Sequence, residues 1–151
     1  MFGRFKKKSF LSDADNKRVV TAIQSTEQRT SGEVRIYIES RNPLVSTIER
    51  AAELFFKMNM HQTRQRNAVL LYLAVKDKEV AIFGDEGIHQ QVGSEFWNLR
   101  VAEMVPLFKE NNLADGIIQC LTEVGKTLVE KFPYDSKTDK NELPDEIIFG
   151  K

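Results

Sequence analysis

The stretch Gly84-Asp85-Glu86-Gly87 presents two adjacent carboxylates between two glycines. Carboxylate oxygens are hard ligands that suit Ca²⁺ or Mg²⁺ better than a soft metal. The glycines predict a tight turn with positive φ. A second interpretation is a solvated turn before a helix, where the helix dipole alone favours acidic residues. This turn is therefore the leading candidate site, with both interpretations open.

Two apolar runs, residues 68–75 and 80–83, predict strands that are covered on both faces. The short link between them predicts an antiparallel hairpin. Upstream, residues 33–40 alternate between apolar and polar, which predicts a half-exposed strand. A helix should follow, with its start at the capping box Ser46-Thr47-Ile48-Glu49. A strand, a helix and a strand form a βαβ unit, so the first two strands should be parallel.

This topology brings distant polar residues to one edge of the sheet, which we call the rim. The rim should hold Glu33, the pair Arg66-Asn67 and the pair Asp85-Glu86, because these lie at matching strand ends. Arg66 either neutralises Glu33 or Asp85 as an ion pair, or holds a phosphate beside a metal. The predicted metal ligands are Asp85, Glu86, Asp115 and Glu33, with support from Arg66, Asn67, Gly84 and Gly87. For Asp115, the first turn of a helix is the competing explanation.

The remaining patterns predict helices. One begins after Ser12 and ends between residues 27 and 29, and the second helix should bury a stripe of Ile48, Ala51, Ala52, Phe55 and Met58. After the GDEG turn we expect a short helix over residues 88–92. A longer helix capped by Ser94 should then be kinked or ended by Pro106. The last helix begins near Ala114 and closes at residues 132–133, with Cys120 as a core thiol.

The whole chain has 151 residues with 22 basic and 22 acidic side chains. This length indicates about one domain, and the charge balance argues against a nucleic-acid partner. A single cysteine excludes an internal disulfide, and no apolar run approaches the roughly 20 residues of a membrane span. We therefore expect a cytoplasmic protein that is not an integral membrane protein. Its predicted parts are a basic arm at residues 1–11, a domain at 12–133 and a flexible tail at 134–151 whose apolar residues 147–149 are able to dock.

The order of these motifs resembles the TPM domain family, known from a thylakoid-lumen phosphatase-like protein, a photosystem II repair factor and many bacterial proteins. The likeness runs from about residue 12 to 132. It rests on Ser31-Gly32-Glu33 at the first strand, Arg66-Asn67 at the second, the turn from Gly84 to Gly87, and the later segment NNLADGIIQCLTEVGKTLV. Many bacterial members also carry a signal peptide and a C-terminal membrane helix. This chain looks like a stand-alone cytoplasmic member.

The resemblance implies an α/β fold, a three-layer α/β/α sandwich with a small mixed sheet of three or four strands. It also implies a divalent-cation site, Ca²⁺ or Mg²⁺, near the rim and a phosphatase activity that is disputed in some members. By position, Asp85 and Glu86 fall in the family's turn after the third strand. Asp115 lies two places beyond the stretch where members usually carry an acidic residue.

Two functions follow as hypotheses. The first is a divalent-cation-binding domain that binds rather than turns over, because no general base can be named. In a phosphatase version, the metal would activate a water and Arg66 would hold the phosphate. The alternative is a non-catalytic interaction module that helps to assemble or maintain a membrane-associated protein complex. Its contact points would be the basic arm or residues 147–149 of the tail.

Overall fold

The computed structural model describes residues 10–44, 46–135 and 147–150, so most of the basic arm and residues 136–146 of the tail lie outside the described residues. The elements in chain order are α1 Asp13–Glu27, β1 Glu33–Glu39, α2 Thr47–Lys57, β2 Ala68–Ala74, β3 Glu79–Gly84, α3 Glu86–Lys109, α4 Leu113–Lys131 and β4 Ile147–Phe149. The strands form one sheet in the order β3-β2-β1-β4. Strand β1 runs parallel to both β2 and β4, whereas β3 is antiparallel to β2.

The alternation of side chains divides the apolar residues into two cores. Val69, Leu71 and Leu73 of β2 join the larger core with α1, α3 and α4 on one face. Leu70 and Tyr72 join a smaller core beneath α2 on the other face. These layers confirm the predicted α/β sandwich with a small mixed sheet of four strands.

Strand β1 is buried on both faces, so the prediction of a half-exposed strand is wrong. Glu33, Arg35 and Glu39 are all buried although they alternate with apolar residues. The reason is tertiary. Helix α2 packs on β2 and β3 on the same face of the sheet, and its Arg50 neutralises Glu39. An alternating pattern reports which face is polar, and it does not report whether a partner covers that face.

The end of the chain supplies an edge strand. Ile147–Phe149 pairs parallel with residues 36–38 of β1, and Gly150 continues the pairing through its N–H to the carbonyl of Ile38 at 2.7 Å. The Phe149 ring stacks on Phe10 with centroids 6.3 Å apart. The apolar residues of the predicted flexible tail thus dock on the sheet.

Helix α3 is two helices joined at Gly93, which has φ 78° and ψ 170°. This break matches the expected short helix before residue 93 and the longer one after Ser94. Pro106 lies inside the helix, which continues to Lys109 instead of ending at the proline. The ring removes one backbone donor, and the helix proceeds for one more turn without it.

The glycines of the GDEG stretch do not have positive φ, so that part of the turn prediction is wrong. They are needed for close approach instead. A Cβ on Gly84 would lie 2.3 Å from the Trp97 ring, and a Cβ on Gly87 would lie 2.1 Å from the Gln65 carbonyl oxygen. Positive φ occurs instead at Arg66 (φ 52°), in the loop before β2.

Candidate functional site: the rim and the groove beside β3

The strand register brings the predicted rim residues to one end of the sheet. Glu33 pairs with Ala68 across β1 and β2, and the N–H of Asp85 donates to the carbonyl of Ala68 at 2.9 Å from the other side. One strand therefore separates Glu33 from Asp85, roughly 10 Å between backbones. Glu33 shares the rim with Asp85 but not its immediate contacts.

Arg66 is the centre of the rim. Its Nε and Nη2 donate to Oδ2 and Oδ1 of Asp85 at 2.6 and 2.8 Å, and its Nη1 donates to Oε1 of Glu86 at 2.6 Å. Hydrogen bonding to Asp85 raises the pKa of the Arg66 guanidinium. Of the two partners left open by the sequence, Asp85 is the one that Arg66 contacts, and Glu86 is added to it.

The local backbone explains why these groups meet. Asp85 is the N-cap of α3, and its Oδ1 also accepts from the Glu86 N–H at 2.8 Å. The carbonyl of Arg66 accepts from the N–H groups of Gly87 and Ile88 at 2.8 and 3.3 Å. The left-handed backbone of Arg66 turns this carbonyl towards α3, and the missing side chain of Gly87 leaves room for it. The loop before β2 is thus fixed to the start of α3.

Asp115 lies at the other end of the molecule. Its Oδ1 accepts from Nη2 of Arg18 at 2.8 Å, and Arg18 also pairs with Asp15. The opposite end of α4 reaches the rim, where Thr30 donates to the carbonyl of Leu128 at 2.9 Å. Asp115 precedes Leu128 by more than three turns, so it lies roughly 20 Å from the rim along the helix. The structure does not bring Asp115 together with Asp85 and Glu86.

Asn67 adds a polar group behind the rim. Its Nδ2 donates to Oγ of Ser31 at 3.2 Å, and Gln65 donates to the same hydroxyl at 2.9 Å. The Oδ1 of Asn67 is buried and makes no hydrogen bond within the part of the chain that the structure describes. The predicted support residue therefore holds the first two strands together and retains one free acceptor.

A cavity of about 840 Å³ begins at Arg66, Asp85 and Glu86 and extends along the outer edge of β3. Residues 80–84 form its floor, Ile48 and Phe56 of α2 line one wall, and Trp97 and Val101 of α3 line the other. We call this cavity the groove. Its size lies within the range of small-ligand sites. At the rim end, His89 accepts the indole N–H of Trp97 on Nδ1 at 3.1 Å.

Two features of the structure are not predicted by the sequence. Arg50 binds both carboxylate oxygens of Glu39 at 2.8 and 3.0 Å, and the hydroxyl of Tyr72 donates to the same carboxylate. No local pattern joins these residues, which come from three elements. The other feature is Ile48, which belongs to the predicted buried stripe of α2 but is 48% exposed. Its exposure beside the groove is visible only once the helix is placed.

Other residues have plain structural roles. Cys120 is buried, and burial raises the pKa of its thiol to about 12, as expected of a core residue and not of a nucleophile.

Within residues 10–44, 46–135 and 147–150, no three His, Cys, Asp or Glu side chains are grouped so that they could hold a metal ion. None of the helices in this part of the chain has the length and apolar character that crossing a bilayer demands.

The fold and the rim define a small α/β domain with a groove along one sheet edge. A sequence profile of the TPM domain matches residues 5–127. The chain therefore belongs to the TPM domain family, as the motif order indicated. A comparison with curated proteins gives no match.

Solved structures share this fold. The NMR structure of the BA42 protein from the psychrophilic bacterium Bizionia argentinensis is 34% identical, with a TM-score of 0.86 over 96% of this chain and 99% of that one. An N-terminal domain from P. gingivalis is 15% identical, with a TM-score of 0.68 over 84% and 83% of the two chains. The N-terminal domain of cg2496 from Corynebacterium glutamicum is 11% identical, with a TM-score of 0.56 over 91% and 80%. The last two show the fold alone.

Proposed function

We propose that the rim binds a divalent cation through Asp85 and Glu86, as we expected from the resemblance of the sequence to the TPM domain family. One observation carries the proposal. The two carboxylates already converge on a single cationic group, the guanidinium of Arg66, which lies 2.6 Å from an oxygen of each. A small dication between the same oxygens would carry twice the charge and lie at a shorter distance, about 2.1 Å for Mg²⁺, so its attraction to them would be stronger.

The donor set suits Mg²⁺ better than a fully caged Ca²⁺. Mg²⁺ is usually held by one or two carboxylates and keeps several waters, whereas Ca²⁺ takes six to eight oxygen ligands. Asp85 is buried and fixed as a helix cap, so it supplies a preorganised carboxylate. Glu86 has 59% of its side chain exposed and is free to turn towards an ion. Glu33 lies one strand away and contributes negative potential, not a ligand.

Arg66 is then a competitor of the ion. Because its guanidinium occupies three of the carboxylate oxygens of Asp85 and Glu86, an entering cation must displace at least part of it. We therefore expect weak binding in the intact protein and severalfold tighter binding in Arg66→Gln. A purely structural ion pair predicts the opposite, because removing the arginine would disorder the rim and weaken any binding.

Backbone amide NMR of metal-free protein, titrated with Mg²⁺ and then Ca²⁺ at constant ionic strength, tests the proposal. We expect saturable shifts at residues 84–87 that are lost in Asp85→Asn and in Glu86→Gln. The matched control is Asp115→Asn, because Asp115 also shares an arginine with a second carboxylate but lies far from the rim. Shifts that are scattered, do not saturate, or disappear in Asp115→Asn would refute binding at the rim.

A further inference from the structure

Strand β3 has an edge that pairs with no other strand in the part of the chain that the structure describes. It is the outermost strand of the described sheet on its side, next to β2 only. The N–H of Asp85 points to β2, where it meets Ala68. Because donors alternate along an antiparallel pair, the N–H and C=O groups of Val80, Ile82 and Gly84 point away from β2. No backbone hydrogen bond to this edge comes from elsewhere in the described chain.

The groove lies along this edge. All of residues 80–84 line it, although their side chains alternate between the two cores, so the cavity runs beside the strand and not over one face. The floor residues Val80, Ala81 and Ile82 are buried, while helices α2 and α3 stand on either side. The open backbone edge is therefore recessed between two helices.

The walls present apolar side chains to the groove, which are exposed on α2 and buried or half-buried on α3. Ile48 and Phe56 of α2 are 48% and 47% exposed, and both border the groove. On the α3 wall, Trp97 and Val101 face the same space. The floor offers backbone hydrogen bonds and the walls offer apolar contacts. This combination suits a β-strand whose alternate side chains enter the pockets of the two walls.

The charges of the groove favour a basic occupant. At the rim end, the two carboxylates of Asp85 and Glu86 outnumber the single guanidinium of Arg66. At the other end of the floor, Glu79 accepts from two neutral donors, Thr47 Oγ1 at 2.9 Å and Asn42 Nδ2 at 3.1 Å. Among the described residues, no ion pair compensates this negative charge in full at either end.

We propose that the groove binds an extended peptide segment of a partner protein, which adds a strand to the edge of β3 and carries apolar side chains flanked by lysine or arginine. The floor of five residues spans roughly 15 Å and pairs with about five peptide residues. A small apolar ligand would leave the backbone groups of Val80, Ile82 and Gly84 unpaired. A second copy of the chain cannot pair through its own β3 edge, because that edge is equally recessed between two helices. The proposal does not depend on cation binding at the rim.

Selection from a displayed library of random heptapeptides, with the full chain as target and EDTA present, tests this proposal directly. We expect enriched peptides with apolar residues at alternate positions and a basic residue at one or both ends. Synthetic versions should shift the amide signals of Val80, Ile82 and Gly84. Failure to enrich any peptide, or shifts that map away from residues 80–84, would overturn the proposal. EDTA removes divalent cations, so the result of this selection does not depend on cation binding at the rim.

Backbone methylation distinguishes strand addition from side-chain binding. In an extended peptide, alternate N–H groups point to opposite sides. N-methylation of the set that faces β3 should abolish binding, whereas methylation of the other set should leave it within about twofold. Equal effects of the two sets would show that the peptide does not pair with the strand and would refute the proposal.

A pair of protein variants tests the location. Ile48→Lys places a positive charge on the wall and should weaken peptide binding about tenfold or more. Leu99→Lys is the matched control, because Leu99 is 52% exposed on α3 but does not line the groove. Equal affinities of the two variants would refute this site. Concentration-dependent dimerisation of the wild type that is lost in Ile48→Lys would instead assign the groove to a second copy.

Discussion

Two arginine clusters at opposite ends of the sheet share one hydrogen-bonding pattern and differ in their access to solvent. In each, Nε and Nη2 bind one carboxylate and Nη1 binds a second, Glu39 and Glu53 for Arg50, and Asp85 and Glu86 for Arg66. The side chain of Arg50 is 14% exposed and that of Arg66 is 37% exposed. The Tyr72 hydroxyl covers the Arg50 cluster, which we call the sealed cluster. The groove lies beside the Arg66 cluster, which we call the open cluster.

The difference separates the structural role of the Arg50 cluster from the binding role that we propose for the Arg66 cluster. A guanidinium sealed between α2 and the sheet cannot exchange its carboxylates for another ligand without exposing a buried charge. A guanidinium at the mouth of a groove can move into water and leave two carboxylates for an entering cation. Geometry alone does not identify the functional cluster, because both forks are bidentate. Solvent access decides between them, and substitutions in matched positions can break or sharpen this distinction.

The largest expected effect is that of Glu39→Gln in the sealed cluster. The change removes the buried carboxylate that neutralises Arg50 and should lower the free energy of unfolding by about 3 kcal/mol, because the buried arginine then keeps only the exposed Glu53 as a counterion. Urea denaturation followed by circular dichroism measures this loss. Glu53→Gln is the control at the exposed side of the same arginine and should cost less than about 0.5 kcal/mol. A loss below about 1 kcal/mol for Glu39→Gln would contradict the structural role.

The sequence predicted the open cluster better than the sealed one for a physical reason. Arg66, Asp85 and Glu86 lie at strand ends, and strand direction fixes which ends meet. Glu39 and Arg50 meet because α2 packs on β2 and β3 on the face of the sheet to which Glu39 points, and nothing in the alternation of residues 33–40 predicts that contact. Ile48 shows the same limit. It belongs to the apolar stripe that predicts burial, but it is 48% exposed because it lies beside the groove at the edge of the sheet.

Fold class and element order followed from periodicity, whereas distances between elements did not. The parallel pairing of β1 with β2 and the hairpin of β2 with β3 agree with the βαβ unit and short link. Asp115 was grouped with the rim because its position in the chain resembled the family's acidic residue. Its helix runs away from the rim, and only the packing of α4 beside Thr30 shows which of its ends is near.

Gly87→Ala should have the next largest effect and acts on the open cluster. The added Cβ would meet the carbonyl oxygens of Gln65 and Arg66 at 2.1 and 2.6 Å, which are backbone atoms that cannot rotate away. We expect a loss of about 2 to 3 kcal/mol in urea denaturation, with shifted amide signals around Arg66. Gly93→Ala is the control. Its φ of 78° and ψ of 170° form a backbone conformation that is essentially restricted to glycine, but no atom lies within 4 Å, so about 1 to 3 kcal/mol should be lost without any change at the rim.

Tyr72→Phe tests the sealed cluster through pH. Burial, together with the hydrogen bond to Glu39, raises the pKa of Tyr72 above its ordinary value of 10.0. The folded state therefore holds this proton more tightly than the unfolded state. The resulting stabilisation is complete below about pH 10 and is lost as pH rises from there through the folded pKa. Tyr72→Phe should cost about 1 kcal/mol at neutral pH and flatten the decline in stability above pH 10.

The control for this pH dependence is Tyr134→Phe, because Tyr134 is exposed. Its loss should change the free energy of unfolding at neutral pH by less than about 0.5 kcal/mol. Equal slopes for Tyr72→Phe and the wild type would mean that the tyrosine is not held by Glu39 in the folded state. Denaturation midpoints between pH 8 and about pH 11.5 measure both variants over the range in which tyrosine ionises.

Asp85→Asn should have the smallest effect on stability and completes the comparison. It is the same chemical change as Glu39→Gln, a carboxylate replaced by its amide, at the corresponding position of the open cluster. Asparagine caps helices as well as aspartate does, so the bond to the Glu86 N–H can persist, and the released Arg66 is free to enter water. We expect a loss below about 1 kcal/mol in urea denaturation, together with loss of cation-dependent amide shifts at the rim. If Asp85→Asn instead destabilised the fold as much as Glu39→Gln, both clusters would contribute equally to stability. Solvent access would then not distinguish a binding site from a cluster that only stabilises the fold.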